Sequence, residues 1–283
     1  MKSGFVALVG RPNVGKSSIL NRVIGQKVTI VSDKPQTTRR RVHGVVTRNN
    51  AQIVFVDTPG LHKPVTALGE RVNATALSSA TDVDVVILVI DAAKGYGKGD
   101  RWVFENAASS RGSARLFVVL NKCDAAKPDA IVGQLGQLAE LGADEYFPVS
   151  AKSGKGIPEL LDGLFSVLPE GEWFYPASDI SDVPEEEWIA ELVREELLMA
   201  TRDELPYSIA TRVTEWEWPR VRCEIVVERE SQKGMVIGKG GALLKQVGEA
   251  VRKQMKPGAF LELHVTVDKN WQQRADRVER LGY

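Results

Sequence analysis

The stretch FVALVGRPNVGKS at residues 5–17 decides the fold of this chain. Its first part, Phe5–Val9, is an apolar run typical of a strand covered on both faces. The residues that follow match G-x-x-x-x-G-K-[ST] at every fixed position, namely Gly10, Gly15, Lys16 and Ser17. Glycines let successive backbone N–H groups turn inward, and a helix starting near Lys16 adds its positive end. The stretch therefore predicts a phosphate site between a strand and a helix.

Two side chains of this loop have expected chemical roles. The Lys16 ammonium can reach the β- and γ-phosphates of a nucleotide, and the Ser17 hydroxyl can ligate Mg²⁺. An ordinary strand–turn–helix junction is the alternative, and the Lys-Ser pair argues against it. A second glycine cluster at residues 95–99 lacks such a pair, and we interpret it as a loop. The predicted phosphate-binding residues are Gly10, Arg11, Pro12, Asn13, Val14, Gly15, Lys16, Ser17 and Ser18.

The pattern of the whole chain predicts two domains of different class. Strand-like and helical runs alternate to about residue 170, which indicates an α/β domain with a mainly parallel sheet and helices on both faces. The pair of strands around Asn49-Asn50 is the exception and predicts a hairpin. The later order of helix, two strands, glycine loop, helix, strand and helix is α+β. We predict a first domain at residues 1–172, a Pro- and Gly-punctuated linker at 173–184, and a second domain at 185–283.

The identity of the base is expected to be read by two loops. Asn121-Lys122-Cys123-Asp124 resembles the N-K-x-D motif of GTPases, in which the carboxylate accepts hydrogen bonds from N1–H and the exocyclic amine of guanine. Adenine presents the opposite pattern on that edge and would leave a buried acceptor unpaired. Ser150-Ala151-Lys152 resembles the second base-contacting loop, whose Ala151 N–H would meet guanine O6. The predicted guanine-binding residues are Asn121, Lys122, Asp124, Ser150, Ala151 and Lys152.

Two further segments are predicted to sense the γ-phosphate. Asp57-Thr58-Pro59-Gly60 resembles the D-x-x-G element, in which Asp57 holds Mg²⁺ through water and the Gly60 N–H meets the phosphate. Thr38, with Thr37 as the alternate, is expected to close on Mg²⁺ when the γ-phosphate is present. The predicted switch residues are Thr37, Thr38, Asp57, Thr58, Pro59 and Gly60, and the predicted Mg²⁺ ligands are Ser17, Thr38 and Asp57.

The residue after this element bears on the rate of hydrolysis. Leu61 stands where many small GTPases place a glutamine that orients the attacking water. A leucine side chain cannot hydrogen-bond to water. We therefore expect slow intrinsic hydrolysis that relies on phosphate positioning and charge neutralisation.

The C-terminal part carries a second motif. Gly238-Lys239-Gly240-Gly241 matches the G-x-x-G loop of KH domains, which clamps about four single-stranded nucleotides by their backbone. Residues 229–283 carry 11 Lys and Arg against 6 acidic residues, whereas residues 175–228 carry 5 against 14, so a localised anion-binding face is expected. A glycine hinge between two helices is the alternative for the loop, and Trp216 and Trp218 fit either base stacking or packing. The predicted RNA-binding residues are Lys233, Gly234, Ile237, Gly238, Lys239, Gly240, Gly241 and Lys245.

Composition excludes several other classes of protein. The 283 residues carry 37 basic and 37 acidic side chains, so net charge indicates no partner. The two cysteines, Cys123 and Cys223, suggest neither a disulfide framework nor a zinc site, and a reducing cytosol fits them best. The longest apolar stretch, residues 83–90, is far shorter than the roughly 20 residues of a membrane-spanning helix. We expect a cytoplasmic protein.

The chain resembles the Era family of bacterial ribosome-assembly GTPases along essentially its full length. The shared motifs are GRPNVGKS from Gly10, PQTTR from Pro35, DTPG from Asp57, NKCD from Asn121, SAK from Ser150 and QKGMVIGKGG from Gln232. The resemblance implies a P-loop GTPase domain followed by a smaller type II KH domain. It also implies GTP or GDP with Mg²⁺ as ligands.

The resemblance further implies binding near the 3′ end of 16S rRNA and assistance to 16S rRNA processing and 30S subunit biogenesis. It implies peripheral association with the inner face of the cell membrane, and K⁺ binding by Asn13, whose loop position ligates K⁺ in some relatives. No stable protein partner is inferred. The alternatives are a GTPase acting on tRNA or another RNA, and an RNA-binding module with a largely structural nucleotide site.

Overall fold

Alternating strands and helices build the first of two compact units, which comprises Met1–Val31, Thr38–Pro64 and Arg71–Asp182. The computed structural model describes residues 1–61, 64–79, 81–201 and 205–283. The strands of this unit are β1 Lys2–Val9, β2 Val42–Arg48, β3 Ala51–Asp57, β4 Val85–Asp91, β5 Arg115–Asn121 and β6 Glu145–Pro148. The helices in this part of the sequence are α1 Lys16–Ile24, α2 Ala67–Ser78, α3 Lys98–Ser110, α4 Pro128–Ala139 and α5 Ile157–Val167.

The six strands form one sheet in the order β2-β3-β1-β4-β5-β6. The β2–β3 pair is antiparallel, as the hairpin around Asn49-Asn50 predicts, and the other pairs are parallel. Successive residues of the buried strand β4 face opposite sides: Val85 and Ile87 join one apolar cluster, while Val86 and Leu88 join another. Helices α1 and α5 cover the first cluster, and α3 and α4 cover the second. The predicted α/β fold class is confirmed.

Helix α2 is an element that the sequence did not predict. Its buried residues Leu68, Val72 and Ala76 recur at every fourth position, which suits a helix. Gly69, Asn73 and Thr75 stand between them, however, and these residue types have low intrinsic helix propensity. The buried stripe is narrow and the residues beside it favour a helix only weakly, so the sequence shows no clear helical periodicity in this segment.

The segment after α5 stays attached to the first unit. The buried side chain of Gln52 accepts hydrogen bonds from the backbone N–H groups of Phe174 and Tyr175 and donates to the Tyr175 carbonyl at 2.8 Å. Further along, Ser181 forms an isolated bridge with Gly44 of β2. Residues 173–182 of the expected 173–184 linker therefore pack with the first unit, and the boundary lies between Asp182 and Val183. The positions of the three predicted segments otherwise stay a prediction.

The second unit comprises Ser32–Thr37, Val65–Glu70 and Val183–Tyr283. It contains a three-stranded sheet, β7-β8-β9, in which β7 and β8 are antiparallel and β8 and β9 are parallel. Alternate residues of β8, from Val221 to Val227, enter an apolar cluster with residues of α6, α7 and α8. This order of helices and strands is that of a type II KH domain. Its elements are α6 Glu185–Ala200, β7 Ala210–Glu217, β8 Arg220–Val227, α7 Glu230–Ile237, α8 Ala242–Arg252, β9 Phe260–Val267 and α9 Ala275–Arg280.

Candidate functional site

The phosphate loop connects the buried strand β1 to helix α1. Its glycines are required by close approach: a Cβ at Gly15, where φ is +98°, would lie 2.3 Å from Asn121 Nδ2. Lys16 is 6% exposed, and its Nζ donates to the carbonyls of Gly10 at 3.1 Å and Arg11 at 3.2 Å. Burial lowers the pKa of Lys16 to about 8, against the opposing effect of Asp57. A phosphate group would supply the negative charge that this buried ammonium favours.

Three oxygen-bearing side chains meet beside Lys16. The Ser17 hydroxyl donates to Asp57 Oδ2 at 2.8 Å and lies 2.9 Å from Thr38 Oγ1. Asp57 is fully buried, and its Oδ1 has no hydrogen-bond partner among the described residues. Burial raises the pKa of Asp57, although Lys16 and the neighbouring hydroxyls act in the opposite direction. A buried, under-satisfied carboxylate with two hydroxyls fits a hard cation such as Mg²⁺, which prefers oxygen ligands.

The structure distinguishes the two threonines that the sequence left as alternates. The Thr37 hydroxyl lies 2.6 Å from Ser32 Oγ and donates to the Lys34 carbonyl at 2.7 Å. Thr38, not Thr37, is the residue beside Ser17 and Asp57. The predicted set Ser17, Thr38 and Asp57 is thus brought together, and its role as a metal site stays a prediction.

The D-x-x-G segment packs closely against the phosphate loop. The Thr58 hydroxyl donates to the Leu8 carbonyl at 2.6 Å, and a Cβ at Gly60 would lie 2.7 Å from the backbone nitrogen of Pro12. Pro59 is buried as well. Leu61 is 1% exposed and belongs to the apolar cluster of Val9. Its side chain is therefore a core residue, in agreement with the expectation that it orients no water.

The two predicted guanine loops are hydrogen-bonded to each other and to the phosphate loop. Asn121 Nδ2 donates to the Val14 carbonyl at 2.9 Å, and its Oδ1 accepts from the Ala151 N–H at 3.1 Å. The Ser150 hydroxyl donates to Asp124 Oδ1 at 2.7 Å, so the carboxylate is oriented. Lys152 is exposed at the rim. The six predicted residues therefore form one connected edge at the carboxyl ends of β5 and β6.

Several residues of this site were missed by sequence reasoning. Asp91, at the end of β4, accepts from Lys122 Nζ at 2.7 Å, and the same ammonium donates to the Asn13 carbonyl at 2.6 Å. Asp100 pairs with Arg11 at 2.8 Å. Isolated acids at the ends of a strand and a helix carry no recognisable spacing, so only the fold brings them into the site.

A cavity of about 310 Å³ lies beside the second guanine loop. Arg22 of α1 lines it and donates from Nε to the Ala151 carbonyl at 2.7 Å. Arg22 was also missed by sequence reasoning, because no motif includes it. The cavity is lined by Ser18, Asn21, Arg22, Gly25, Gln26, Val31 and Ala151.

The G-x-x-G loop joins helices α7 and α8 of the second unit. Gly238, Gly240 and Gly241 all have positive φ, at 74°, 59° and 81°. A Cβ at Gly238 would lie 2.8 Å from Leu243 Cβ, whereas no atom of the described chain lies within 4 Å of a Cβ built at Gly240 or Gly241. The loop thus presents open backbone on one side, as a clamp for a phosphodiester chain requires.

The side chains around this loop divide between surface and core. Lys239, Lys245 and Gly234 are exposed, and Lys233 and Ile237 are half-buried. Val236 is fully buried in the core of the second unit. Trp216 packs against that core, while Trp218 is 45% exposed.

The described part of the chain offers no helix with both the length and the apolar character that crossing a membrane requires.

Comparison with known proteins gives matches over both units. A family described as "50S ribosome-binding GTPase" matches residues 5–122, and a KH domain family matches residues 204–272. GTPase Era of Staphylococcus haemolyticus is 41% identical, with 100% of this chain and 97% of the relative covered. GTPase Era of Mycolicibacterium smegmatis is 43% identical, with coverages of 100% and 99%.

Two crystal structures of Era are similar over 100% of this chain and 99% of theirs. The first, a single-residue variant of Aquifex aeolicus Era bound to GDP and AlF4⁻, is 36% identical with a TM-score of 0.95. The second, Era with MgGDPNP and nucleotides 1506–1542 of 16S ribosomal RNA, is 37% identical with a TM-score of 0.95. Identity at this level over the full length of both partners leaves one conclusion: the chain belongs to the Era family of GTPases.

Proposed function

We propose that this chain is a GTP-hydrolysing switch that binds the single-stranded 3′ end of 16S rRNA and assists processing of that RNA and biogenesis of the 30S subunit. The observation that carries the proposal is the convergence of Ser17, Thr38 and Asp57 beside Lys16, in contact with a hydrogen-bonded pair of guanine loops. These are the groups needed to hold a guanine nucleotide and its metal.

The side chains of the nucleotide site have distinct tasks in hydrolysis. Lys16 neutralises charge on the β- and γ-phosphates, and Ser17, Thr38 and Asp57 hold Mg²⁺, which when bound supplies charge neutralisation at the phosphate oxygens. Because Leu61 is buried in the core, it positions no water. Intrinsic hydrolysis therefore rests on phosphate positioning and is slow without a bound partner or a monovalent cation.

The RNA half of the proposal rests on the open G-x-x-G loop. Its uncovered Gly240 and Gly241 admit a phosphodiester backbone, and the exposed Lys239 and Lys245 add positive charge. A 37% identical relative was crystallised with nucleotides 1506–1542 of 16S ribosomal RNA, which favours that RNA over other ligands. The assembling 30S subunit is the partner that would present this RNA end.

Coupling between nucleotide and RNA is proposed to pass through residues 32–38. Thr38 belongs to the first unit, whereas residues Ser32–Thr37 belong to the second. Within the second unit the fully buried Arg194 of α6 donates from Nη2 to the Thr37 carbonyl. A movement of Thr38 on γ-phosphate binding would thus pull on a segment held by the KH-containing unit.

Three finer features of the proposal rest on family resemblance. K⁺ binding by Asn13 would give a K⁺-dependent rate, and an Asn13→Ala variant that keeps the same K⁺ dependence would remove this feature. The cytoplasm is the proposed location, because ribosomal subunits are assembled there. Peripheral association with the inner face of the membrane completes the proposal.

The decisive experiment measures binding of a labelled strand copied from the 3′ end of 16S rRNA. Affinity is compared between apo, GDP and GDPNP states at one fixed salt concentration, with a scrambled strand as control. The test variant is Gly240→Asp, because its side chain enters open space while adding a charge beside the RNA phosphates. Gly240→Asn is the matched control, since asparagine tolerates positive φ equally well and is uncharged.

We expect Gly240→Asp to weaken binding at least tenfold and Gly240→Asn to weaken it less than threefold, with GDPNP and GDP giving different affinities. A repulsion of roughly 1–4 kcal/mol at 4 Å accounts for that difference. Equal binding of the scrambled strand in every state would favour the alternative of tRNA or another RNA. Absence of multiple-turnover GTP hydrolysis would favour a structural nucleotide site.

A further inference from the structure

One arginine of helix α1 contacts the loop that is expected to read guanine, although no motif includes it. Arg22 lies in the last turn of α1, and its Nε donates to the Ala151 carbonyl at 2.7 Å. Its Nη2 donates to the carbonyl of the next residue, Lys152. One guanidinium thus holds two consecutive carbonyls of the loop whose Ala151 N–H would meet guanine O6.

The rest of the loop is anchored from the opposite side. The Ser150 N–H donates to the Lys155 carbonyl at 2.9 Å, and the Gly154 N–H donates to the Ser150 carbonyl at 2.8 Å. Asn121 Oδ1 accepts from the Ala151 N–H at 3.1 Å. These bonds fix the base of the loop, and Arg22 fixes the carbonyls at its outer edge. The peptide planes around Ala151 are thereby held from both sides.

The position of Arg22 on α1 links this loop to the phosphate site. Lys16 and Ser17 begin the same helix, and Arg22 lies six positions after Lys16, a rise of about 9 Å. A helix of this length is stiff, so it sets the distance between the phosphate groups and the base-reading loop. Arginine suits the outer end because its planar fork presents two N–H donors in fixed geometry.

We propose that Arg22 is a positioning residue for guanine recognition: by holding the carbonyls of Ala151 and Lys152 it fixes the loop backbone whose N–H groups would reach O6 of the base. The inference rests on the proposed nucleotide function and deepens it. Arg22 touches the loop rather than the guanine ring, so its effect should depend on the atom at position 6. A role in general stability would not depend on that atom.

The test compares GDP with 6-thio-GDP in wild-type protein and in Arg22→Ala. 6-thio-GDP keeps N1–H and the exocyclic amine, which Asp124 accepts, and replaces O6 by sulfur, a weak acceptor. We expect Arg22→Ala to raise the Kd for GDP about tenfold and the Kd for 6-thio-GDP less than threefold. Arg22→Lys should give an intermediate loss, because one ammonium cannot occupy both carbonyls with the geometry of the fork.

Arg48→Ala is the control, since Arg48 forms an exposed ion pair with Asp162 in the same unit. It should change neither Kd. An equal loss of both ligands in Arg22→Ala, or no loss of either, would overturn the inference. A wild-type protein that binds GDP no better than ADP would instead overturn the proposed function on which the inference depends, so the two failures are distinguishable.

Discussion

At the residue scale, Asp124 is the side chain that is expected to set the choice of base. The Ser150 hydroxyl donates to its Oδ1 at 2.7 Å, which turns the carboxylate towards one edge of the site. In Asp124→Asn the amide nitrogen cannot accept from guanine, so we expect GDP to bind roughly a hundredfold more weakly, for a loss of about 3 kcal/mol. Isothermal titration with GDP and XDP measures this change.

XDP is the informative second ligand for that variant. Xanthine carries an oxygen where guanine carries the exocyclic amine, and the new amide can donate to it. Asp124→Asn should therefore bind XDP better than wild type does. A variant that loses both ligands equally would contradict the assigned role.

The two cysteines should differ in reactivity because of their burial. Cys223 is fully buried, and burial raises its pKa to about 12, so its reactive thiolate form is disfavoured. Cys123 is only half-buried. We expect DTNB to titrate one thiol in native protein and two in guanidinium chloride, and none in native Cys123→Ser. Rapid reaction of two thiols in the native protein would argue against this packing.

Residues were predictable from sequence where a motif fixes their spacing, and were missed where only the fold brings them together. Lys16, Asp57 and Asn121 all follow strands in recognised patterns. Arg22 lies 129 residues from Ala151, and Asp91 lies 31 residues from Lys122. Such pairings depend on strand order and helix packing, which no local pattern encodes.

At the scale of elements, the neighbouring residues Thr37 and Thr38 have different hydrogen-bond partners and therefore different expected roles. The Thr38 hydroxyl lies 2.9 Å from Ser17 Oγ, whereas the Thr37 hydroxyl is bonded within its own segment. Thr38→Ala should lower the rate of GTP hydrolysis by about 10–100-fold and leave GDP affinity within twofold. Single-turnover hydrolysis with saturating Mg²⁺ measures the rate.

Thr37→Ala is the matched control for this element. It removes a hydroxyl that lies away from Asp57 and should lower the rate less than threefold. If the two alanine variants were equally slow, the assignment of Thr38 over Thr37 would be wrong.

Element types were well predicted from sequence, whereas their ends were not. Strand β1 begins at Lys2 rather than Phe5, because pairing with β3 extends it over residues that carry little apolar pattern. The sequence also does not show that Val236 is buried while its neighbour Met235 is exposed, since an apolar run next to a loop does not reveal which member faces the core.

At the scale of the whole molecule, Arg194 is the residue whose loss should uncouple nucleotide from RNA. It is fully buried, holds the Thr37 carbonyl and pairs with Glu191. Arg194→Met keeps most of the volume and removes the donor. We expect the ratio of RNA affinities in GDPNP and GDP to fall towards one, while GDP affinity changes less than twofold.

Fluorescence anisotropy with the 16S rRNA strand measures that ratio. Arg101→Met, which changes an exposed arginine of α3, is the control. A ratio equal to that of wild type would exclude Arg194 from the coupling. If Arg194→Met lost GDP binding as well as the difference between the two RNA affinities, the variant would have a damaged fold.

The burial of Leu61 has a practical consequence for preparing this protein in a stable GTP-bound state. In GTPases that rely on a glutamine to orient the attacking water, replacing that glutamine removes the orienting group. Here the leucine is native, 1% exposed and part of the core. This chain has no such glutamine to replace. Isolation of GTP-dependent partners therefore requires protein that is loaded with a non-hydrolysable GTP analogue.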